Sequence, residues 1–318
     1  MTLTAHPGSD ATAPAAPLRT VYRPSHPLDL AATVGVLRRG PRDPSMVHDG
    51  PVIWRAVRTP EGAATLALRQ TSDGVSATAW GAGAAHAIDT VPDLCGARDD
   101  STGFDPSRHP LISELARRRP GLRLSRTGEV FDALACSILE QKVTGLQAFG
   151  AWRALVSRFG ERAPGPTPRP MSAPPSAAGW RRIPSWAWHR AGVEPPQSKT
   201  IVRVAERGDS IRRALLAAEG GDARDRVLTS LPGIGAWTAA ETRIRALGDP
   251  DAVSVGDYHL AHEVGFALTG SRTDDAGMLE LLAPWAGQRQ RVIRLILMSG
   301  VHEPRRGPRL APEDHRRR

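Results

Sequence analysis

Leu231-Pro232-Gly233-Ile234-Gly235 is suited to chemistry that needs no charged side chain. Two glycines around one apolar residue let the backbone turn with positive φ and leave N–H groups uncovered. The residues on either side read as helices. The turn therefore runs into a helix start, whose partial positive charge favours an anion such as one phosphate of a nucleic acid. Ile234 would anchor the turn between its helices. A plain packing joint, with glycines for close approach, accounts for the same five residues equally well. Downstream, Val253-Ser254-Val255-Gly256 reads as extended chain and Asp257-Tyr258-His259 as the opening of another helix. An aspartate there is a preferred N-cap. Bonds from the next amides also hold a carboxylate as an anion, which suits stabilisation of a developing positive charge better than proton abstraction.

The elements that must position these groups change character near residue 105. Residues 1–20 are Ala, Pro, Thr and Ser without periodicity and are expected as a disordered tail. Across 21–105, Leu28 to Leu37 reads as a helix, and Val52 to Val57, Ala64 to Gln70 and Val75 to Trp80 read as strands. Asp73-Gly74 is expected as a tight hairpin between the last two. Connections this short exclude a parallel sheet, so the first domain is a small antiparallel sheet with a helix. Gly81-Ala82-Gly83 lacks the third glycine of a dinucleotide fingerprint. From 106 to 302 the apolar spacing is helical. Val130, Phe131, Leu134, Ile138 and Leu139 form one stripe, and Leu146, Phe149, Trp152, Leu155, Val156 and Phe159 another. Residues 163–178 form a proline-rich loop expected to be exposed, and 303–318 a basic C-terminal tail.

Composition narrows the partners. The 318 residues carry 42 basic and 33 acidic side chains, a net +9 that favours a polyanion. Only Lys142 and Lys199 are lysines, so arginine supplies nearly all of that charge. Two cysteines, Cys95 and Cys136, are too few for a disulfide framework, a four-cysteine iron–sulfur cluster or a cysteine-rich zinc site. His259, His262 and Glu263 share a helical side but lack a third spaced ligand. No apolar run is long enough to span a membrane and no leader is apparent, so a cytoplasmic location is expected.

The hairpin Leu231-Pro232-Gly233-Ile234-Gly235, followed by Val255-Gly256-Asp257-Tyr258-His259, resembles the helix–hairpin–helix (HhH-GPD) DNA glycosylase superfamily, in its DNA-3-methyladenine glycosylase II branch. Phe131-Asp132-Ala133-Leu134 and Ile138-Leu139-Glu140-Gln141-Lys142-Val143 look like that family's first core helix. Pro284-Trp285 with Arg289 and Arg291 extends the likeness, which covers roughly residues 21 to 302. The fold it implies is α+β, an N-terminal antiparallel sheet with a helix followed by an all-α helix–hairpin–helix glycosylase domain. The function it implies is base excision repair, in which an alkylated purine is flipped from double-stranded DNA and its glycosidic bond hydrolysed.

The resemblance also assigns roles. Asp257 would be catalytic, stabilising an oxocarbenium-like sugar. Trp237, Trp285 and Tyr258 would line the base pocket, where an indole face stacks on a cationic purine; taken singly, each tryptophan is an ordinary core residue. Gly233, Ile234, Gly235, Gln141, Lys142, Arg289 and Arg291 would contact DNA. Bifunctional members carry a Schiff-base lysine where this chain has Trp237, so the likeness implies base release without strand cleavage. Lys142, at the position of the family's apolar wedge, departs from the pattern and leaves a lyase open. A non-enzymatic DNA binder would need the hairpin but not Asp257. No cofactor is required on this reading. A Na+ or K+ at the hairpin, held by the main-chain carbonyls of Thr229, Leu231 and Ile234, is allowed by it. The protein is expected to act as a monomer.

Overall fold

The structure is a computed structural model that describes residues 16–303. Residues 1–15 of the expected tail and 304–318 of the basic tail lie outside the described residues.

Five strands form one antiparallel sheet in the order β1-β5-β4-β3-β2: β1 Leu18–Tyr22, β2 Met46–Asp49, β3 Val52–Thr59, β4 Gly62–Thr71 and β5 Gly74–Trp80. The three expected strands are the central ones. The two edge strands are additional to those expected, and Leu18 to Thr20, within the expected tail, pair with Ala79 to Ala77 of β5. The β4–β5 turn is Ser72-Asp73 rather than Asp73-Gly74, because Thr71 already pairs with Gly74. Gly74 holds φ +131, and a Cβ there would meet the Tyr22 carbonyl at 2.2 Å. Alternation buries Val75, Ala77 and Ala79 on the face that packs against α1 Leu30–Val34, α2 Ala84–Asp89 and α3 Val91–Leu94.

The other face of the sheet is covered by the proline-rich loop, contrary to the expectation that the loop is exposed. Met171 and Ala173 pack on Val47, Ala56 and Ala63, with β6 Glu161–Arg162 paired to β7 Ser172–Ala173. These apolar residues bury against the sheet while the prolines remain free of ladder bonds.

Helices α4 Pro110–Arg118 to α15 Arg289–Leu297 build two further cores. The first contains α5 Val130–Leu139, α6 Gly145–Phe159, α7 Ala177–Arg181, α8 Ser185–Arg190, α9 Pro195–Glu206, α10 Gly208–Ala217, α11 Gly220–Thr229 and α12 Ala236–Thr242. Trp180 stacks between Trp152 and Trp188 at its centre, with centroids 6.1 and 5.6 Å apart. The second core joins α4 to α13 Leu260–Thr269, α14 Asp275–Leu282 and α15. After α12 a π turn runs from Arg243 to Leu247, and residues 248–259 cross from the first core to the second. Asp257 lies on that crossing. Among the described residues, no helix is long and apolar enough to cross a membrane.

Candidate active site

The hairpin joins α11 to α12. Leu231 and Ile234 are each 5% exposed and anchor it in the first core, while Pro232, Gly233 and Gly235 lie at the surface. Gly233 alone uses a positive φ, +91, and a Cβ on it would sit 2.5 Å from Thr200 Oγ1. Gly235 is extended, at φ −97 and ψ −179, with open space where a side chain would stand. The expected pair of left-handed glycines is therefore one. Gly235 instead begins α12 with no side-chain cap, which leaves the leading amides for solvent or a ligand.

Neighbours hold the turn from outside. Gln141 Nε2 donates to Gly233 O at 3.0 Å and to Thr238 Oγ1 at 2.9 Å, and Arg203 Nη1 donates to Pro232 O at 3.1 Å. Gln141 thus grips the hairpin itself. It is fixed in turn by Gln197, whose buried amide donates to the carbonyls of Ile138, Leu139 and Gln141. Beside it, the exposed Lys142 holds φ +56, a left-handed conformation that no other described non-glycine residue adopts. Such a conformation costs an L-residue ~1–2 kcal/mol.

Asp257 is partly exposed. Its Oδ1 accepts from the amides of His259 (2.9 Å) and Leu260 (3.0 Å), so it caps α13 from two residues upstream of the formal cap position. Its Oδ2 accepts from Trp237 Nε1 at 3.0 Å. All three partners are donors, the set that an ionised carboxylate accepts. The structure therefore brings Trp237, at the first turn of the hairpin's second helix, into contact with Asp257. Tyr258 is 83% exposed and meets the His259 ring edge-on at 4.8 Å.

Three expected residues are placed elsewhere. Trp285 is 4% exposed in the second helical core, and its Nε1 donates to Asp105 O at 2.8 Å; it has no open face for a base. Arg291 is 4% exposed and makes a bidentate pair with Asp99, whose side chain is fully buried. Arg289 is held bidentately by Asp251 at 2.8 and 2.5 Å. Both guanidiniums pair with a carboxylate, Arg291 in the interior and Arg289 at a partly exposed position.

Sequence reasoning missed the groups that hold the Asp257 segment. Ser254, 3% exposed, donates to Glu241, and the Gly256 amide donates to Asp275 Oδ2 at 3.0 Å. Glu241 stands one turn beyond Trp237 on α12, and that spacing was the only available signal.

A small cavity of about 50 Å³ lies apart from this site, between the sheet and α5. Arg39, Arg55, Glu129, Asp132, Cys136 and Arg245 line part of it. Burial, reinforced by Glu129, pushes the Asp132 carboxyl up to about 8. Burial pushes the Cys136 thiol up to about 12 and lowers Arg245 to about 10, which leaves the guanidinium charged at neutrality.

Solved structures share this fold. Over 89% of its length it superposes on the whole of a 3-methyladenine DNA glycosylase from Archaeoglobus fulgidus, with TM-score 0.71 and 17% identity. The chain carries the helix–hairpin–helix DNA glycosylase fold. An 8-oxoguanine glycosylase/lyase from Clostridium acetobutylicum, solved with double-stranded DNA containing cytosine opposite 8-oxoG, matches with TM-score 0.63 and 11% identity, over 86% of this chain and 93% of that one. In sequence, a DNA-3-methyladenine glycosylase from Bacillus subtilis (strain 168) is 27% identical over 183 residues, 55% of this chain. The chain spans only 59% of that relative's length. No family model matches the chain.

Proposed function

We propose that this protein is a monofunctional DNA glycosylase of base excision repair, releasing alkylated purines of the 3-methyladenine type from duplex DNA. The contact between Asp257 and Trp237 carries the reading, because it fixes an anion beside a backbone turn able to hold the strand. The amides that open α12 would bind one DNA phosphate, with Gly233 setting the turn and Ile234 rooting it. The nucleotide would then leave the stack, its sugar against Asp257. As the N-glycosidic bond breaks, the sugar gains oxocarbenium character, and the carboxylate stabilises that charge more than the neutral ground state. Water completes the hydrolysis, oriented secondarily by the same group.

Trp237 has two tasks on this reading: its indole N–H orients Asp257 and its face stacks on the cationic base, a contact of up to about 2 kcal/mol when desolvated. With Trp285 in the core, the exposed Tyr258 is the other aromatic at hand. The carbonyls of Thr229, Leu231 and Ile234 end α11 and line the turn, and suit a Na+ or K+ by donor type; Leu231 O already accepts from the Ile234 amide, which leaves it one lone pair. Strand cleavage would need an amine at the site. Trp237 occupies the position where bifunctional relatives place one, and Lys142 is the competing candidate.

The test is release of bases from alkylated, deaminated and oxidised duplexes, followed by mass analysis beside the Asp257→Asn variant. Release of 3-methyladenine without a borohydride-trapped covalent adduct supports the proposal. An adduct abolished by Lys142→Ala selects a lyase, and DNA binding with no base released selects a non-enzymatic binder.

A further inference from the structure

One face of α12 carries more than Trp237. Glu241 follows it by one turn and Arg245 by a further turn in the π segment. Residues 254–257 run back along this face in the opposite sense. Trp237 Nε1 holds Asp257 Oδ2 at 3.0 Å, and one turn later Glu241 Oε1 accepts from Ser254 Oγ at 2.5 Å. The other carboxylate oxygen, Oε2, pairs with Arg245 Nη1. Both oxygens of Glu241 are therefore engaged, in a partly buried setting at 14% exposure that strengthens each bond.

Arg245 extends the arrangement. Its Nη2 lies 3.7 Å from Glu140, which also pairs with Arg39 at 3.0 Å. Glu140 immediately precedes Gln141, the residue that grips the hairpin carbonyl. The segment bearing Asp257 and the turn bearing Gln141 and Lys142 thus share one arginine. At the far end, the Asp275 carboxylate takes the Gly256 amide.

We propose that Glu241 and Ser254 are positioning residues that set where the Asp257 carboxylate stands, by tying its segment to the helix that begins at the hairpin. This rests on the reading that Asp257 acts on the sugar. Neither residue touches the reacting atoms. Without the Ser254 bond, Trp237 would be the one hydrogen bond tying 254–257 to α12 among the described residues, since Asp275 holds Gly256 from α14, and Ser254 could shift along α12. A second bond one helical turn away removes that motion. Displacement by about 1 Å is enough to cost on the order of a hundredfold in rate.

The test uses Ser254→Ala, which removes one oxygen atom and leaves the Glu241–Arg245 pair in place, and Glu241→Ala, which removes the acceptor of the Ser254 hydroxyl and leaves Arg245 to Glu140. Hydrogen exchange of the Trp237 indole N–H is followed by NMR, assigned through Trp237→Phe. Single-turnover base release and binding to an abasic duplex are measured in parallel. Each variant is expected to speed Trp237 exchange about tenfold or more, with the other seven of the eight tryptophans unchanged. Base release should fall about ten- to a hundredfold at unaltered abasic-duplex affinity, and the double variant should be no slower than the worse single. Unchanged Trp237 exchange in both variants overturns the clamp, as does faster exchange with an undiminished release rate. Faster exchange in a protein whose wild type releases no base leaves the clamp standing and removes the glycosylase reading.

Discussion

Asp257→Asn separates the carboxylate's charge from its place in the fold. In the proposed reaction the carboxylate faces a sugar carrying nearly a full positive charge. Two unit charges ~4 Å apart at an effective dielectric of ~20 interact by about 4 kcal/mol, or close to a thousandfold in rate. The substitution also has a structural cost that can be read from its bonds. Three donors point at the two oxygens, two to Oδ1 and one to Oδ2. Asparagine can keep the amides of His259 and Leu260 only by turning its own NH2 toward the Trp237 N–H. One hydrogen bond is lost, worth about 1–2 kcal/mol of stability. The expected outcome is a folded protein with a Tm lower by a few degrees, undiminished affinity for abasic duplex, and base release slower by about 10³ in single-turnover assays. Trp237→Phe loses the same bond but keeps the charge, and should fall only about tenfold. Release by Asp257→Asn within a factor of ten of wild type would refute the electrostatic role.

Other substitutions test the surrounding geometry. Gly233→Ala must hold φ +91 and place a methyl 2.5 Å from Thr200 Oγ1; it should lower stability by at least ~1–2 kcal/mol and weaken DNA binding, read by anisotropy of a labelled duplex. Arg291→Ala leaves the buried Asp99 carboxylate without its ionic partner, with only the Leu124 amide bonded to it among the described residues, and should cost ~3–5 kcal/mol in chemical denaturation. Asp132 gives a pH signature. Its carboxyl, ordinarily near 3.8 but raised to about 8 by burial and Glu129, keeps a proton in the fold that the unfolded chain has released. Stability should therefore fall as pH rises from about 4 to about 8, by no more than ~1.4 kcal/mol per unit, and Asp132→Asn should flatten the Tm–pH curve across that window.

The hairpin and Asp257 were legible in the sequence because their geometry is local. A turn of fixed composition, a helix start and an aspartate two residues before a helix amide all act over a few residues, and the structure keeps those relations. The central strands were legible for the same reason, through their alternation. The ion pairs of Arg289 and Arg291 were not legible, because a guanidinium shows its charge in the sequence but not its partner. Asp99 lies 192 residues before Arg291, and Asp251 38 before Arg289. Trp285 failed likewise: whether an indole packs or stacks depends on the second helical core, assembled from α4 and α13 to α15. The edge strands were missed because β2 has only four residues and β1 begins inside a low-complexity stretch, so pairing with β3 and β5 makes them strands. Met171 and Ala173 were hidden among prolines, and only the sheet beneath them makes the loop a packed layer.

The division into cores bears on how a strand grip and a carboxylate stay in register. The hairpin belongs to the first helical core through Leu231 and Ile234, whereas α13 belongs to the second through Leu260, Ala261 and Val264. Asp257, on the crossing, is bonded to both: to α13 by two amides and to α12 by Trp237. Were only the α13 bonds present, any flexing of one core against the other would change the distance from carboxylate to phosphate site. The indole bond refers Asp257 to the helix whose first amides would hold that phosphate. The critical separation is then set by a direct bond to α12, and the same carboxylate, capping α13, ties the second core to the first. On that argument Trp237→Phe should broaden the distribution of distances between spin labels placed on α12 and α13. An unaltered distribution would show that packing between the cores, rather than the side chain at 237, fixes the carboxylate.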